Sequence, residues 1–410
     1  MQDLVKLPEK ELYLLFSFGN FYINKYNFIP LILVIFSPMK KIRVIFTFLF
    51  VLLAFDAYAS QTVRVAITRD TASISLKIKG FFEARDLATG RVIYRAKSIN
   101  ATVTAYKNGI ALGGVRLDAD KLLIKSDDPE AIIINGRFFR GNIRFIRKPD
   151  NKLLVVNDIE LEDYVKGILY HEASHYWPVE VLKAQAIISR TYALYQMREN
   201  KQEDFDMTND IYSQVYGGQT SERFRTNRAV DETAGQVLFY KGKIIPAYFH
   251  ATCGGHTEDA SELWKIDLAP LKGVVCGFCK ESPHFSWHGD LSLKEIAEKL
   301  TKQDFKIKNI TGIEIAGKNN SGRVTDLKII SGNKEEKISA KDFRSAIGPN
   351  IIKSTNFSVS IAGRDAVFEG VGWGHGVGLC QWGAYFMAKQ GYTVEQILRY
   401  YYPGADVKTF

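Results

Sequence analysis

Residues 182–194 form a stretch that is small and apolar nearly all round when it is placed on a helix. A helix of this kind is normally buried, so the rest of the chain has to fold around it. The stretch also carries Lys183, Gln185 and Arg190. Buried cations must be paired, and positions 183 and 190 share one helix face. The sequence therefore predicts a central helix whose polar face lines a cleft. A solvated face with two ordinary charges is the alternative.

A second helix is predicted directly upstream, because apolar residues recur there at helical spacing. The series consists of Leu161, Tyr164, Val165, Ile168 and Leu169. Glu172 is the next position in that series, so it is predicted to lie near the middle of the apolar face. Such a position raises the pKa of a carboxyl group, as a general acid working near neutrality requires. The Trp177-Pro178 step predicts a break, with a new helix over residues 179 to about 197.

Residues 171–175 read His-Glu-Ala-Ser-His, which matches the short pattern of zinc proteases. In those enzymes two histidines four residues apart on one helix bind a metal, and the glutamate activates its water. Here Pro178 disfavours a helix that continues far enough, and the later histidine ligand of the metzincins is absent. Only Glu199 offers a distant third ligand. A zinc metalloprotease is therefore kept as a less favoured alternative.

Several longer blocks carry a family resemblance. They are residues 157–169 with Glu172, Trp177-Pro178, residues 182–193, Gln214-Val-Tyr-Gly217, residues 250–257, residues 372–384 and Tyr401-Tyr-Pro-Gly404. In this order the blocks resemble the stage II sporulation protein D family and its amidase-enhancer relatives, over roughly residues 62–404. The resemblance implies an envelope enzyme, a lytic transglycosylase that cleaves peptidoglycan glycan strands stripped of stem peptides. The catalytic glutamate of the family maps onto Glu172.

The residues are consistent with that chemistry. Glycosidases usually need two carboxylates, whereas Glu180 and Asp210 are candidates only through their proximity in sequence. A lytic transglycosylase manages with one, because the C6 hydroxyl of the muramic sugar attacks its own anomeric carbon. Glu172 would act first as general acid and then as base, leaving 1,6-anhydromuramic ends. The alternative within the family is a non-catalytic, glycan-binding enhancer of an N-acetylmuramoyl-L-alanine amidase.

The same blocks supply candidate substrate-binding residues. They are Lys183, Gln185, Arg190, Tyr192, Gln214, Tyr216, His375, Gln381 and Trp382. The glycines around His375 would let the backbone approach a glycan, and Trp177, Tyr192, Tyr216 and Trp373 would stack on sugar rings. Tight turns are the alternative for the glycines, and burial in the core is the alternative for each aromatic residue.

The cysteines predict a structural zinc site. Its ligands would be His250, Cys253, Cys276 and Cys279, two pairs at short spacing that can close a tetrahedral site. A disulfide in an oxidising compartment is the alternative. Cys380 is predicted to be a buried, inert thiol. The resemblance leaves the metal position open. Some family members bind zinc through a His-Cys pair just before the Gln-Val-Tyr block, where this chain has Tyr212-Ser213.

The first 60 residues carry an export signal. A basic start at Met39-Lys-Lys-Ile-Arg43 is followed by an apolar stretch and by Ala57-Tyr-Ala59. This is the pattern of a secretory signal peptide over residues 39–59. It predicts that residues 1–38 are a mis-called upstream extension and that the protein is exported to the periplasm or cell envelope. The protein would contact the membrane only if the signal segment stayed uncleaved.

Composition is that of a globular protein, with 46% hydrophobic and 24% charged residues among 410. The formal net charge of +9 suits an anionic polymer such as peptidoglycan. Nucleic acid is disfavoured as a partner, because the chain has no compact basic run. Residues 60–156 alternate in the manner of a β-rich module, and residues 157–404 form the catalytic core, with a possible inserted lobe at about 291–350. The predicted fold class is α+β.

Overall fold

Alternating apolar residues build one large sheet from the first half of the chain. The computed structural model describes residues 61–128, 130, 132–210 and 213–410. The strands of this sheet are β1 (Thr62–Thr71), β2 (Ser73–Asp86), β3 (Val92–Tyr106), β4 (Gly109–Leu112), β5 (Val115–Leu117), β6 (Lys121–Ser126), β7 (Ile132–Ile134), β8 (Arg137–Phe139), β9 (Asn142–Arg147), β10 (Leu153–Glu160) and β11 (Met207–Thr208). Their order is β11-β1-β10-β9-β6-β2-β3-β4-β5, with β7 pairing with β2 and β8. Neighbouring strands are antiparallel except β1 and β11. The predicted β-rich part is therefore one mainly antiparallel sheet.

Two helices follow the sheet and carry the first blocks of the family resemblance. Helix α1 (Leu161–Glu172) begins directly after β10, and α2 (Val179–Glu199) begins after Pro178. The apolar residues of α1 pack against the sheet in one core cluster, as its periodicity predicts. Helix α2 is buried from Val181 to Leu194 apart from Lys183. It therefore forms the central helix that the sequence predicts.

A second core cluster forms around the far side of α2. Its helices are α4 (Ala260–Trp264), α7 (Gln381–Lys389) and α8 (Val394–Tyr401), whereas α3 (Phe224–Glu232) packs in the first cluster. Its strands are β14 (Phe249–His250), β21 (Leu379–Cys380) and β22 (Asp406–Thr409), whereas β12 (Gln236–Tyr240) contributes to both clusters and β13 (Lys243–Ile244) to the first. Short 3-10 turns occur at Gly218–Ser221, Ala269–Leu271 and Cys279–Glu281. Strands β14 and β21 run parallel, which joins the middle of the chain to its C-terminal part.

Residues 286–371 contribute two three-stranded sheets and two helices. The elements are β15 (Ser286–Ser292), α5 (Leu293–Thr301), β16 (Gly312–Lys318), β17 (Val324–Ser331), β18 (Lys334–Ser339), α6 (Ala340–Ile347), β19 (Phe357–Ala362) and β20 (Asp365–Val371). They share an apolar cluster of their own that extends from Trp287 to Phe368, beyond both predicted ends of the inserted lobe. Strands β19 and β20 form a hairpin that turns at Gly363, whose φ is +66°.

The predicted α+β class is confirmed by this mixture of antiparallel sheets and separate helices. The predicted upstream extension and signal peptide, residues 1–38 and 39–59, lie outside the described residues. Within the described part, none of the helices combines the length and apolarity that crossing a bilayer requires.

Candidate active site

Glu172 is the last residue of α1, and the chain leaves the helix directly after it. Ala173 has an extended conformation, with φ −141° and ψ 134°. The Glu172 side chain is partly exposed, although it continues the apolar face whose other members are buried against the sheet. A carboxyl group at this point lies among apolar groups and can still meet a substrate.

The surroundings of Glu172 favour the protonated carboxyl. Its Oε1 accepts a hydrogen bond from the backbone N–H of Val215 at 3.1 Å. Burial raises the pKa of Glu172 to about 7, against the smaller lowering effect of the Val215 bond. Among the described residues, Glu172 has no cation within ion-pair distance. The group can therefore hold a proton at neutral pH and release it with little cost.

The backbone of Glu172 is held by two glutamines. Gln381 Nε2 donates to the Glu172 carbonyl oxygen at 2.9 Å and to Gln185 Oε1 at 3.2 Å. Gln185 Nε2 in turn donates to Ser189 Oγ at 3.2 Å. Both glutamines, predicted to bind substrate, are buried, and together they connect the end of α1 to α2 and α7. Their contacts position Glu172.

Gln214 and Tyr216 are also buried beside Glu172. Tyr164 Oη donates to Gln214 Oε1 at 3.0 Å, and Tyr216 Oη donates to Asn157 Oδ1 at 2.6 Å. The Tyr216 ring lies so close to α1 that a Cβ at Gly167 would be 2.5 Å from it. These contacts fix the segment whose Val215 N–H binds Glu172. The Tyr216 ring is in the core, which is the alternative stated for the aromatic residues.

An aromatic ledge, formed by Trp177, Trp382 and Tyr385, borders the end of α1. The ring centroids of Trp177 and Trp382 are 5.1 Å apart, and each lies 5.1–5.2 Å from that of Tyr385. All three side chains are partly exposed. Trp382 directly follows Gln381, whose side chain binds the Glu172 backbone carbonyl group, and Trp177 lies five residues after Glu172, so the ledge is attached to both segments that hold the end of α1. Aromatic rings that are partly accessible to solvent suit stacking on sugar rings.

Two predicted substrate-binding cations have other partners. Arg190 is fully buried and donates to both carboxylate oxygens of Glu162, at 2.8 and 2.7 Å. Glu162 is ten residues before Glu172, hence about 15 Å away along α1. Lys183 pairs with Glu232 at 2.9 Å and with Glu180 at 3.5 Å. In place of the predicted polar cleft, Lys183 and Arg190 form ion pairs that join α2 to Glu232 on α3 and to Glu162 on α1.

Tyr192 and His375 belong to a separate aromatic group around Tyr248. The Tyr192 and Tyr248 ring centroids are 5.8 Å apart, and the His375 ring lies 5.1 Å from Trp264. The backbone N–H of Val377 donates to His375 Nδ1 at 3.1 Å. Burial holds the pKa of His375 well below its ordinary value, so its imidazole is neutral.

The glycines around His375 are required by backbone packing. Gly372 has φ +82°, and a Cβ there would be 2.6 Å from the Thr252 carbonyl oxygen. Gly376 has φ +92°, and a Cβ there would be 2.6 Å from the Arg323 guanidinium. The tight-turn alternative accounts for these positions without a glycan. Trp373 has the His284 ring at 4.8 Å and Lys353 over its face at 4.9 Å.

The His-Glu-Ala-Ser-His string does not form a zinc-protease site. Helix α1 ends at Glu172, so His171 and His175 do not share a helix face. His171 Nε2 instead lies 2.6 Å from Ser221 Oγ, and the His175 ring lies 3.9 Å from that of Tyr176. The described residues bring together one group with metal-ligand spacing, and it contains neither histidine.

The two candidate second carboxylates are engaged elsewhere. Glu180 Oε2 accepts from the backbone N–H of Val394 at 2.8 Å, at the start of α8. Asp210 accepts from Thr208 Oγ1 at 2.8 Å and lies 3.4 Å from Arg69, beside the large sheet. None of these contacts involves Glu172. The described site therefore has one carboxyl group with the properties of a general acid.

Four buried cysteine sulfurs meet in the second core. They are the Sγ atoms of Cys253, Cys276, Cys279 and Cys380, all within 4.8 Å of one another and without a disulfide. His250, predicted as a ligand, is absent from this group, and its Nδ1 lies 3.1 Å from the Val377 carbonyl oxygen. The pairing of β14 with β21 brings Cys380, predicted to be inert, to the other three thiols.

Sequence reasoning missed three contributors to these sites. Val215 acts through its backbone N–H, which no side-chain pattern reveals. Tyr385 completes the aromatic ledge from one helical turn beyond Trp382, a spacing that could have indicated it. Cys380 could have been found by counting, because four cysteines suffice for a tetrahedral site without a histidine.

Two family models match this chain, one over the segment that contains Glu172 and one over the segment that contains Cys276 and Cys279. Residues 149–240 match the family model described as stage II sporulation protein, and residues 271–378 match a model described as a domain of unknown function. A protein of Brachyspira hyodysenteriae, named only as uncharacterized, is 35% identical over 353 residues, which are 86% of this chain and 94% of the relative. Stage II sporulation protein D of Bacillus amyloliquefaciens is 30% identical over 275 residues, 62% of this chain and 75% of the relative. The amidase enhancer of Bacillus subtilis is 27% identical, over 60% of this chain and 40% of the relative.

Proposed function

The chain belongs to the stage II sporulation protein D family, and on that premise we propose that it is an exported lytic transglycosylase that cleaves peptidoglycan glycan strands. The observation that carries the proposal is the Glu172 carboxyl. It has a pKa of about 7, one backbone N–H partner and a partly exposed side chain, at the end of the helix that the aromatic ledge borders. A protonated carboxyl beside a sugar-binding surface is what cleavage of a glycosidic bond requires.

In the proposed reaction Glu172 first donates its proton to the glycosidic oxygen. The bond between that oxygen and the anomeric carbon of the muramic sugar breaks, and the leaving strand keeps the proton. The C6 hydroxyl of the same sugar attacks the anomeric carbon, and the Glu172 carboxylate takes the hydroxyl proton. The carboxyl is thereby restored, no water is consumed, and the product ends in a 1,6-anhydro ring.

The contacts around Glu172 support this assignment over hydrolysis. A hydrolase needs a second carboxylate to activate water or to act as nucleophile. The two candidates, Glu180 and Asp210, bind Val394 and Thr208 instead. The nucleophile of the transglycosylase is part of the substrate, so the protein has only to orient the sugar. The aromatic ledge is placed for that task.

The test is cleavage of purified, peptide-free glycan strands, with products identified by mass spectrometry. We expect the wild-type protein to release anhydromuramic ends and Glu172→Gln to release at least about a hundredfold less. Glu180→Gln is the matched control, because it removes a nearby carboxylate that caps α8. It should keep most of the activity. Equal loss in both variants would contradict the assignment of Glu172.

A second candidate function is enhancement of a cell-wall amidase, which one relative is named for. The aromatic ledge could serve it by binding glycan without chemistry. The two functions separate in the Glu172→Gln variant. Amidase stimulation that survives in this variant, together with a wild-type protein that cleaves no glycan, would favour the enhancer.

A further inference from the structure

We propose that the four-cysteine cluster binds one structural zinc ion as a tetrathiolate. The ligands are Cys253, Cys276, Cys279 and Cys380. This proposal does not depend on the transglycosylase activity, because the metal would have four protein ligands and no open position for a substrate. It also replaces the predicted ligand His250 by Cys380.

The sulfur geometry fits the ion. With Zn–S bonds of about 2.3 Å, the edges of a tetrahedron of sulfurs are about 3.8 Å long. The Sγ atoms of Cys253 and Cys279 are 3.4 Å apart, and all four sulfurs lie within 4.8 Å of one another. A disulfide would need about 2.05 Å between one pair and would leave the other two thiols beside it. Small side-chain adjustments suffice for the metal.

The backbone supplies the ligands in a way that suits a zinc site. Cys276 and Cys279 are separated by two residues and lie at a turn that leads into the short helix Cys279–Glu281. Cys253 and Cys380 arrive from the segments after β14 and at the end of β21. One CxxC turn combined with two distant thiols joins three parts of the chain, which is a common role of structural zinc.

Hydrogen-bond donors already point at the sulfurs. The backbone N–H groups of Cys253 and Gly383 each lie 3.3 Å from Cys380 Sγ. Tyr401 Oη lies 3.2 Å from Cys276 Sγ, in a contact where either atom can donate and where a thiolate would accept from the hydroxyl. Donors of this kind disperse the negative charge of metal-bound thiolates and orient the ligands.

A buried cation beside the cluster is a second, independent observation. Arg323 is 1% exposed, and its Nη2 donates to the Cys253 carbonyl oxygen at 2.8 Å. Its Nε and Nη1 have no hydrogen-bond partner among the described residues. The nearest carboxylate, Glu258, is 3.7 Å away and accepts hydrogen bonds from Asn319 and Ser321. Glu258 therefore gives Arg323 an ion pair without a hydrogen bond, and a zinc tetrathiolate would add a formal charge of about −2 beside this buried guanidinium.

The site would fix the start of α7. Cys380 is the N-cap of this helix, and its sulfur accepts from Gly383 N. The next residue, Gln381, holds the Glu172 carbonyl group. Zinc would therefore hold Gln381 at the Glu172 carbonyl group. An effect of the metal on catalysis rests on the proposed function of Glu172.

The test is elemental analysis and native mass spectrometry of the whole chain, purified without added metal. We expect about one zinc ion per chain. Cys380→Ser should reduce the zinc content at least about tenfold, or yield a protein that unfolds at lower temperature. His250→Asn, which keeps a donor for the Val377 carbonyl group, is the control and should retain the metal.

Cobalt gives a readout that does not involve activity. When Co²⁺ replaces the zinc, thiolate-to-cobalt charge-transfer absorption should appear, and in Cys380→Ser it should be weaker than in His250→Asn. Purified protein without metal, with iron in place of zinc, or with a disulfide between any two of the cysteines would overturn the proposal. Glycan cleavage by Glu172 is measured separately, so failure of the zinc proposal and failure of the proposed function are distinguishable.

Discussion

At the scale of single residues, Glu172 shows how one environment sets both stability and chemistry. Its carboxyl ends an apolar helix face and has no cation among its described neighbours, so burial favours the neutral form. An ion pair would lower the pKa and remove the proton that the reaction needs. Because of the same burial, ionisation of Glu172 destabilises the folded state.

Glu172 should therefore make stability depend on pH. Its folded pKa of about 7 lies above the ordinary 4.5. Below about pH 4.5 the carboxyl is protonated in both the folded and the unfolded state, so it does not lower the free energy of unfolding. Stability falls as the pH rises from there to about 7, by up to about 3 kcal/mol, and then stays constant. Glu172→Gln should be more stable than wild type at about pH 8 and similar at about pH 4.5.

Urea unfolding at both pH values measures this difference. Glu180→Gln serves as the control, because it loses a helix cap and an ion pair and should not gain stability at the higher pH. An equal effect of Glu172→Gln at both pH values would show that the folded protein does not raise the pKa of this carboxyl.

The proton on Glu172 should also set the pH profile of cleavage. A general acid is active in its protonated form, so the rate should fall as the pH rises through about 7. Initial rates on peptide-free glycan strands across this range provide the measurement. A rate that continues to rise well above pH 7 would mean that Glu172 does not donate the proton.

At the scale of elements, the site depends on how the ends of α1, α2 and α7 meet. Gln381 on α7 joins the Glu172 carbonyl group to Gln185 on α2. Gln381→Leu should lower kcat about tenfold with a smaller effect on KM, because the carboxyl loses its position while the aromatic ledge remains. Gln390→Leu, at the other end of α7, should leave kcat unchanged. A change in KM alone for Gln381→Leu would assign this residue to substrate binding.

The paired helices should show a separate effect on stability. Arg190 joins α2 to α1 through Glu162 and also donates to the Gln236 carbonyl oxygen. Arg190→Met should lower the free energy of unfolding by about 3 kcal/mol. Lys183→Met, whose ion pairs are nearer the surface, should cost less than about 1 kcal/mol. Chemical denaturation gives both values, and equal costs would contradict the different burial of the two cations.

At the scale of the whole molecule, the large sheet and the second core converge on the end of α1, and the aromatic ledge lies where they meet. Trp382→Ala should raise KM for glycan strands about tenfold, since it removes a stacking surface. Phe224→Ala removes an aromatic side chain that is 82% exposed on α3, and it should leave KM unchanged. Steady-state kinetics distinguish the two. Equal KM values for wild type and Trp382→Ala would place the glycan elsewhere.

Much of this architecture was predictable, because local patterns specify it. The break at Pro178, the buried helix α2, the α+β class and the family were predicted correctly. The partners of Arg190 and Lys183 were not, because a helical pattern gives the face of a charge but not the carboxylate that another helix brings to it. The exchange of His250 for Cys380 has the same cause, since the pairing of β14 with β21 joins residues 130 positions apart.

Cleavage of peptide-free glycan strands in water enriched in oxygen-18 tests the central claim most directly. If Glu172 acts alone and the sugar supplies the nucleophile, the new ends are one water lighter than reducing ends and carry no label. Mass spectrometry of the released fragments shows both properties at once. Labelled reducing ends would mean that water attacks the anomeric carbon, and they would contradict the single-carboxyl mechanism.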